Sequence, residues 1–445
     1  MRNFNTLLVV AGILSFFTGE RQVLSQQTER DTKVRNDKAN VEKDSRWIYN
    51  DLPRAYDAAR NSNKPLLIVF RCIPCEACSQ FDELVVKRDP KIQKLMEEFI
   101  CARIVQTNGL DLSLFQFDYD QSFHVFFMNA EQAIYGRYGT RSANKDEFKD
   151  MSMEGFAEAM QAALELHRGY PGNEAQLAGK KGKKAEFPVP EKYPSLKQYG
   201  AKIDYVGATA KSCIHCHQIR DAQREFARSQ EKLLSEELLY PYPLPDTIGL
   251  RLDSQRRATV QDVLESSPAQ VAGLLPGDNL VELNGQPLTS IADIQWILHQ
   301  TPSLDVSLPL TFQRGDEKRT VILELKKGWR AADISWRPTT WELREFGLGG
   351  LKLKSLTSQE RKAAGLPADA AGLQVEHLGW YGEHARAKNA GMDKGDVILT
   401  VDGKSSFATE SELIAYVMLG KKRGEEIVVR ARRGKEDRDF KFRVR

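Results

Sequence analysis

The chain lacks an excess of charge of either sign. Lys and Arg number 64 against 61 Asp and Glu, and the net charge of +3 is too small to point to a nucleic-acid partner. The one dense basic cluster, Lys180-Lys181-Gly-Lys183-Lys184, lies among Gly, Ala and Pro and reads as a solvated linker. Long apolar runs are also lacking. After the first 17 residues nothing approaches the roughly 20 apolar residues a membrane-spanning helix needs, so the protein is expected not to span a membrane. No Gly-x-Ser-x-Gly turn or equivalent nucleophile is present, which argues against a protease. Cysteine is scarce, with six in 445 residues, and all six fall into two groups.

What is present begins with an exported N-terminus. Arg2 precedes the apolar run Leu7 to Phe17, and Val23-Leu24-Ser25 offers a plausible cleavage point. This pattern predicts a signal peptide over 1–25, and a charged, disordered tether over 26–45. The mature protein is then expected in the periplasm or cell envelope, where disulfides persist. The length and the 41% hydrophobic content suit about three globular domains.

The first cysteine group is Cys72-Ile-Pro-Cys75-Glu-Ala-Cys78, with Cys101 downstream. Trp47 to Arg60 reads as an amphipathic helix and Leu66 to Phe70 as a buried strand. Phe81 to Phe99 reads as helical with a break near Pro90, Ile100 to Val105 as a strand, Phe123 to Tyr135 as a hairpin, and Met153 to His167 as a closing helix. This order over 46–168 resembles the thioredoxin-like family, an α/β fold. The family places its first active cysteine five residues after the strand's last Phe, which is Cys75 counted from Phe70. The resemblance therefore implies a Cys75–Cys78 dithiol, with Cys75 as nucleophile and Cys78 as resolver. A thiolate at a helix start is stabilised by the unpaired N–H groups there. The register Cys72-Ile-Pro-Cys75 and a three-thiolate metal site remain alternatives. Cys101, in an apolar strand, reads as a packing residue. The family's cis-proline is missing: no proline occurs between Pro90 and Pro171, and Ser122 takes its place in the alignment.

The second group is Cys213-Ile-His-Cys216-His217, within the linker and helical segment 169–244. Gly172 to Pro194 reads as an extended connector, and Asp221 to Leu239 as a long helix. Cys-x-x-Cys-His is similar to the attachment sequence of c-type cytochromes. The resemblance implies haem c, with Cys213 and Cys216 as thioether links and His217 as the metal ligand. A cytochrome domain does not fit before residue 245, so the haem would have to sit between modules, be five-coordinate, or take His124 or His167 as its sixth ligand. A local disulfide or dithiol and a zinc knuckle are the competing readings.

The C-terminal half contains a repeat. Ala272-Gly-Leu-Leu-Pro-Gly277-Asp278 through Asn284-Gly285 returns as Ala390-Gly-Met-Asp-Lys-Gly395-Asp396 through Asp402-Gly403, at a constant offset. The pair resembles the tandem PDZ domains of HtrA-type envelope proteases, here 245–327 and 328–445. PDZ domains add a peptide as a strand to a sheet edge. The resemblance places the terminus-holding loop at Thr247, Ile248, Gly249 and Leu250 in the first module, facing a helix over Ile291 to His299. In the second it places it at Gly349, Gly350 and Leu351, facing Glu410 to Leu419. The expected partners are therefore protein or peptide C-termini. Three functions compete: a thiol-disulfide oxidoreductase with PDZ recruitment, a haem electron-transfer protein, and a non-catalytic PDZ scaffold held by disulfides.

Overall fold

Asn50 is left-handed (φ 50°), the Asp51 side chain accepts the Arg54 N–H, and Pro53 occupies the first helical turn. These three residues start the helix at Leu52 instead of Trp47, and release Trp47–Tyr49 to pair as a strand. The architecture comes from a computed structural model, which describes residues 28–73, 79–85, 89–367 and 370–445. The leader expected over 1–25, and Cys75 and Cys78, lie outside the described residues.

The charged stretch expected to be a tether is helical over 28–41 (α1). It is anchored because Val34 and Val41 are buried and Asp37 pairs with Arg103 at 2.8 Å. Next come β1 (Trp47–Tyr49), α2 (Leu52–Ser62), β2 (Leu66–Arg71), α3 (Ser79–Glu83), α4 (Pro90–Met96), β3 (Ile100–Ile104), β4 (Phe123–Met128), β5 (Ile134–Tyr138) and α5 (Met153–Gly169). The sheet order is β1-β3-β2-β4-β5, with β1, β3 and β2 parallel and β4 and β5 antiparallel. Strand β2 is buried on both sides, which accounts for its unbroken apolar run. Leu67 and Val69 join the core under α4 and α5, while Leu66, Ile68 and Phe70 join the core under α2.

The linker carries α6 (Glu174–Leu177), α7 (Thr209–Ser212), α8 (Cys216–Ser229) and α9 (Glu236–Leu239). The single helix expected from Asp221 to Leu239 is broken after Ser229, where Glu231 turns left-handed (φ 55°) and Ser235 caps a new start. Nor is the connector merely solvated. Lys180 is fully buried and pairs with Asp293 at 3.0 Å, so one lysine of the basic cluster is an internal anchor.

The first β-rich module contains β6 (Leu250–Leu252), β7 (Val260–Val263), α10 (Pro268–Val271), β8 (Asn279–Leu283), β9 (Gln286–Pro287), α11 (Ile291–Gln300), β10 (Val306–Arg314) and β11 (Glu317–Leu325). Its sheets are β6-β7 and β11-β10-β8-β9. The second contains α12 (Thr340–Leu348), β12 (Leu351–Ser355), α13 (Ser358–Ala363), β13 (Leu373–Leu378), α14 (Arg386–Asn389), β14 (Val397–Val401), α15 (Glu410–Gly420), β15 (Glu426–Arg433) and β16 (Glu436–Arg443), in one sheet β12-β13-β14-β15-β16. Buried polar contacts join the units. Arg137 at the end of β5 stacks 3.8 Å from the Trp296 ring of α11. Arg337, ahead of α12, reaches Asp118 at 2.8 Å and Asp120 at 3.1 Å. Arg228 of α8 donates to the carbonyls of Lys421 and Arg445. Among the described residues no helix is long and apolar enough to cross a membrane.

Candidate functional site

Strand β2 ends at Arg71, and the next residue, Cys72, donates its backbone N–H to the Ser122 carbonyl at 3.0 Å. Ser122 leads into β4, so it stands against the cysteine segment where the thioredoxin resemblance places a proline. A buried ionic network supports this end of the sheet. Asp82 of α3 accepts both terminal nitrogens of Arg103, at 2.7 and 2.8 Å, and the Arg71 Nε at 3.3 Å. Burial alone would raise the Asp82 pKa, but the two guanidiniums outweigh it and hold the carboxyl below its usual range. Cys101 is buried in β3, and burial pushes its thiol up to about 12.

The second motif packs against the same end of the sheet. Asn108 Oδ1 accepts the Ile214 N–H at 2.8 Å, and Thr107 Oγ1 donates to the Ile214 carbonyl at 2.8 Å. These bonds fix the turn between α7 and α8. Cys213 points inward, packed with Val105 and Ile203. Burial, with Cys72 adding to the effect, pushes its thiol far up. Cys216 opens α8 and joins the core under α2. His215, between the two cysteines, places Nδ1 3.1 Å from the Cys72 Sγ. Burial lowers the His215 pKa to about 4, so its ring is neutral near pH 7 and Nδ1 can accept the Cys72 thiol proton in a hydrogen bond. The sequence singled out Cys213, Cys216 and His217, but the contact is made by Cys72 and His215. The spacing of a motif identifies its cysteines; it does not say what the residue between them faces.

As arranged, these residues do not fit a haem. The cleft lined by Cys72, Cys213, His215 and Cys216 holds about 10 Å³, far below the roughly 300 Å³ at which cofactor pockets begin. His217 does not line it; this side chain is exposed and stacks on His215, with ring centroids 5.6 Å apart. The candidate sixth ligands are engaged elsewhere, His124 with Gln121 at 2.9 Å and His167 with Tyr135 at 2.8 Å and the Asn63 carbonyl at 3.1 Å. Among the described residues no three His, Cys, Asp or Glu side chains converge on a metal position, and no disulfide joins Cys213 to Cys216.

The two peptide grooves differ. In the first module Thr247 and Gly249 give their N–H groups to the Leu244 and Asp246 carbonyls, forming a tight turn into β6. The other edge of β6 has no strand beside it among the described residues, and it borders an open cleft of about 460 Å³. Ile291 of α11, Trp336 and the 140–150 loop of the N-terminal domain form other walls. Further along α11 the groove is covered, because Gln295 donates to the Tyr242 carbonyl at 3.4 Å. In the second module Gly349 and Gly350 both donate to the Arg344 carbonyl. Leu351 opens β12, and Glu410 closes that edge: its carboxylate takes the Leu353 N–H at 2.7 Å and pairs with Arg344.

One repeated support escaped the sequence reading. Asp278 pairs with Arg314 at 2.6 Å, and Asp396 pairs with Arg433 at 2.7 Å. Each aspartate also accepts the N–H three residues before it, and each arginine also holds a carbonyl, that of Gly273 or Gly391. The visible signal was an Arg-Gly at the end of each module's long strand, at nearly the same offset as the Gly-Asp turns.

A thioredoxin-like family model matches residues 47–130, and a PDZ-domain model matches 246–325 and again 382–444. Among curated proteins, the chain is similar to the probable periplasmic serine endoprotease DegP-like of Buchnera aphidicola subsp. Baizongia pistaciae. They are 32% identical over 78 residues, 18% of this chain and 17% of that protein. The protein of the same description from Hahella chejuensis is 27% identical over 179 residues, 39% of this chain and 36% of that protein. The chain thus spans well under half the length of either relative. Among solved structures, the serine endoprotease from Yersinia pestis aligns at 21% identity over 18% of this chain and 28% of that one, with a TM-score of 0.16. The HtrA-type protease AlgW with tripeptide aligns at 26% over 21% and 29%, with a TM-score of 0.18. Residues 47–130 are a thioredoxin-like domain, and residues 246–325 and 382–444 are two PDZ domains.

Proposed function

We propose that the protein is an exported thiol-disulfide exchange protein that uses its first PDZ module to recruit clients. The observation that carries this reading is the position of Cys72. It leaves the central strand against Ser122, in a cleft shared with a second cysteine pair, so redox-capable sulfurs gather at the sheet end where thioredoxin-like domains react. Cys75 is the nucleophile and Cys78 the resolver. The Cys75 thiolate attacks a client disulfide, one client sulfur leaves as a thiol, and Cys78 then displaces the second to close the Cys75–Cys78 disulfide. Two electrons pass to the client, and the reverse sequence oxidises it. Export is supported by the leader-like N-terminus and by the periplasmic relatives.

Recruitment is assigned to the first module because the β6 edge borders an open cleft, whereas Glu410 occupies the β12 edge. The same cleft region continues past the 140–150 loop to Ser79 and Gln80 at the start of α3, which directly follows Cys78 in sequence. A client terminus held along β6 therefore has a route toward the cysteine segment. Micromolar binding, about −8 kcal/mol, is expected for C-terminal peptides.

The test is timed alkylation and mass analysis of full-length protein after reduction and after oxidation. Cys75 should label before Cys78 and Cys101 in the reduced form, and Cys75 and Cys78 should be protected together in the oxidised form. Equal labelling in both states would leave only the scaffold reading, and first labelling at Cys72 would shift the dithiol to Cys72–Cys75.

A further inference from the structure

The Cys213–Cys216 pair is unclaimed by the proposed client reaction, yet it faces the thioredoxin-like domain directly. Cys72, Cys213, His215 and Cys216 line one small cleft, His215 Nδ1 stands 3.1 Å from the Cys72 sulfur, and the turn carrying them is pinned by Thr107 and Asn108. We propose that the linker pair is a second dithiol that exchanges disulfides internally with Cys72. This rests on reading the thioredoxin-like thiols as redox-active.

The surroundings of the two linker sulfurs set the direction of each step. When Cys213 and Cys216 are joined as a disulfide, the Cys72 sulfur attacks Cys213. The Cys213–Cys216 bond breaks, a Cys72–Cys213 bond forms, and Cys216 leaves with the electron pair. Cys216 is the better leaving group because it opens a 14-residue helix, whereas Cys213 is sealed among Val105 and Ile203. The Cys72 proton, held in the hydrogen bond to His215 Nδ1, is taken up by the Cys216 sulfur as it leaves. One disulfide is exchanged for one disulfide, and no outside oxidant enters the step. The pair then links the linker helix to the thioredoxin-like domain as an electron store next to the client site.

A trapping experiment on the full chain tests this. Cys216→Ser removes the sulfur that would resolve the mixed disulfide; Cys216→Ala serves as a second variant should the serine fold poorly. Reduced protein is treated with oxidised glutathione, which leaves as two glutathione thiols when Cys72 and Cys213 join, and is then quenched, digested and analysed by mass. The expected result is a dithiothreitol-sensitive peptide pair joining Cys72 to Cys213 in both variants, against a Cys213–Cys216 disulfide in the wild type. His215→Ala added to the serine variant should slow the pair's formation by about 10-fold, because the Cys72 thiol loses its hydrogen-bond acceptor. Glutathione adducts on Cys72 with no Cys72–Cys213 pair, in variants that remain folded, would overturn the inference. Exchange with an external peptide disulfide is followed separately in the wild type. Trapping without exchange counts against the client reading, and exchange without trapping counts against the internal relay alone.

Discussion

If Arg337 is replaced by Met, the junction between the thioredoxin-like domain and the PDZ pair should fail before either side does. The guanidinium is 5% exposed and donates to Asp118 at 2.8 Å, to Asp120 at 3.1 Å, and to the Pro241 and Tyr242 carbonyls at 2.9 and 3.3 Å. Methionine keeps much of the volume but leaves two buried carboxylates facing each other, at 2% and 3% exposure. Removing one partner of a buried ionic set costs about 3–5 kcal/mol, whereas neutralising the whole set is often nearly neutral. Arg337→Met should therefore lose about 3–5 kcal/mol, and the triple variant with Asp118→Asn and Asp120→Asn should recover most of it. The assay is urea unfolding followed by tryptophan fluorescence, with peptide affinity measured in parallel. Arg337 also lines the cleft beside β6, so affinity should fall in the single variant as the walls separate. A loss below about 1 kcal/mol, with unchanged affinity, would show that the junction does not hold the domains together in solution.

The strands and helices of the three domains were legible because each leaves a local mark. Leu66 to Phe70 is apolar on both faces, Pro90 breaks the helical stretch, and the Gly-Asp turns recur at a fixed offset. The errors fell where long-range contacts outweigh local pattern. The charged segment before Trp47 is an ordered helix because Arg103, far along the chain, needs Asp37. Lys180 reads as linker charge until Asp293 is brought to it across the domain boundary. Trp47–Tyr49 has a helical pattern, yet it pairs in parallel with Cys101 to Arg103.

The candidate site divides in the same way. Motif spacing singled out Cys72 and the Cys213–Cys216 pair, because Cys-x-x-Cys is contiguous in sequence. It did not find the Cys72–His215 contact, whose partners are 143 residues apart. Nor did the PDZ pattern show that Glu410 would turn back onto β12, because Glu410 also reads as an ordinary first-turn helix residue. Resemblance locates the edge a peptide can use, and only tertiary contacts show whether that edge is already taken.

Further outcomes follow from the same contacts. Protein made in a host that attaches c-type haem should show no Soret band after denaturation; a retained band would refute the packing around Cys213 and Cys216. A C-terminal peptide with a photoreactive group should crosslink near Leu250–Leu252, and crosslinks to Leu351–Ser355 would refute the closed second groove. The Asp82 pKa is held down in the fold, so its stabilising contribution is fully present above the unfolded value of about 3.9 and is lost as pH falls through the lower folded value. Urea midpoints measured on acidification should show this loss in the wild type, and Asp82→Asn should remove that part of the pH dependence. The last outcome concerns the repeated Asp–Arg pairs. Asp278 and Asp396 each have 1% side-chain exposure, and each takes both an arginine and a backbone N–H. Asp278→Ala or Asp396→Ala thus leaves the backbone N–H under the Gly-Asp turn without its acceptor, while the partly exposed arginine turns to water, and should cost about 1–3 kcal/mol in its own module. Hydrogen exchange should report the loss in β8 and β10 for the first variant and in β14 and β15 for the second. The two losses should match, because the same two charges meet at nearly the same distance in both modules. A large loss in one and none in the other would mean that the repeat conserves the turn without conserving its support.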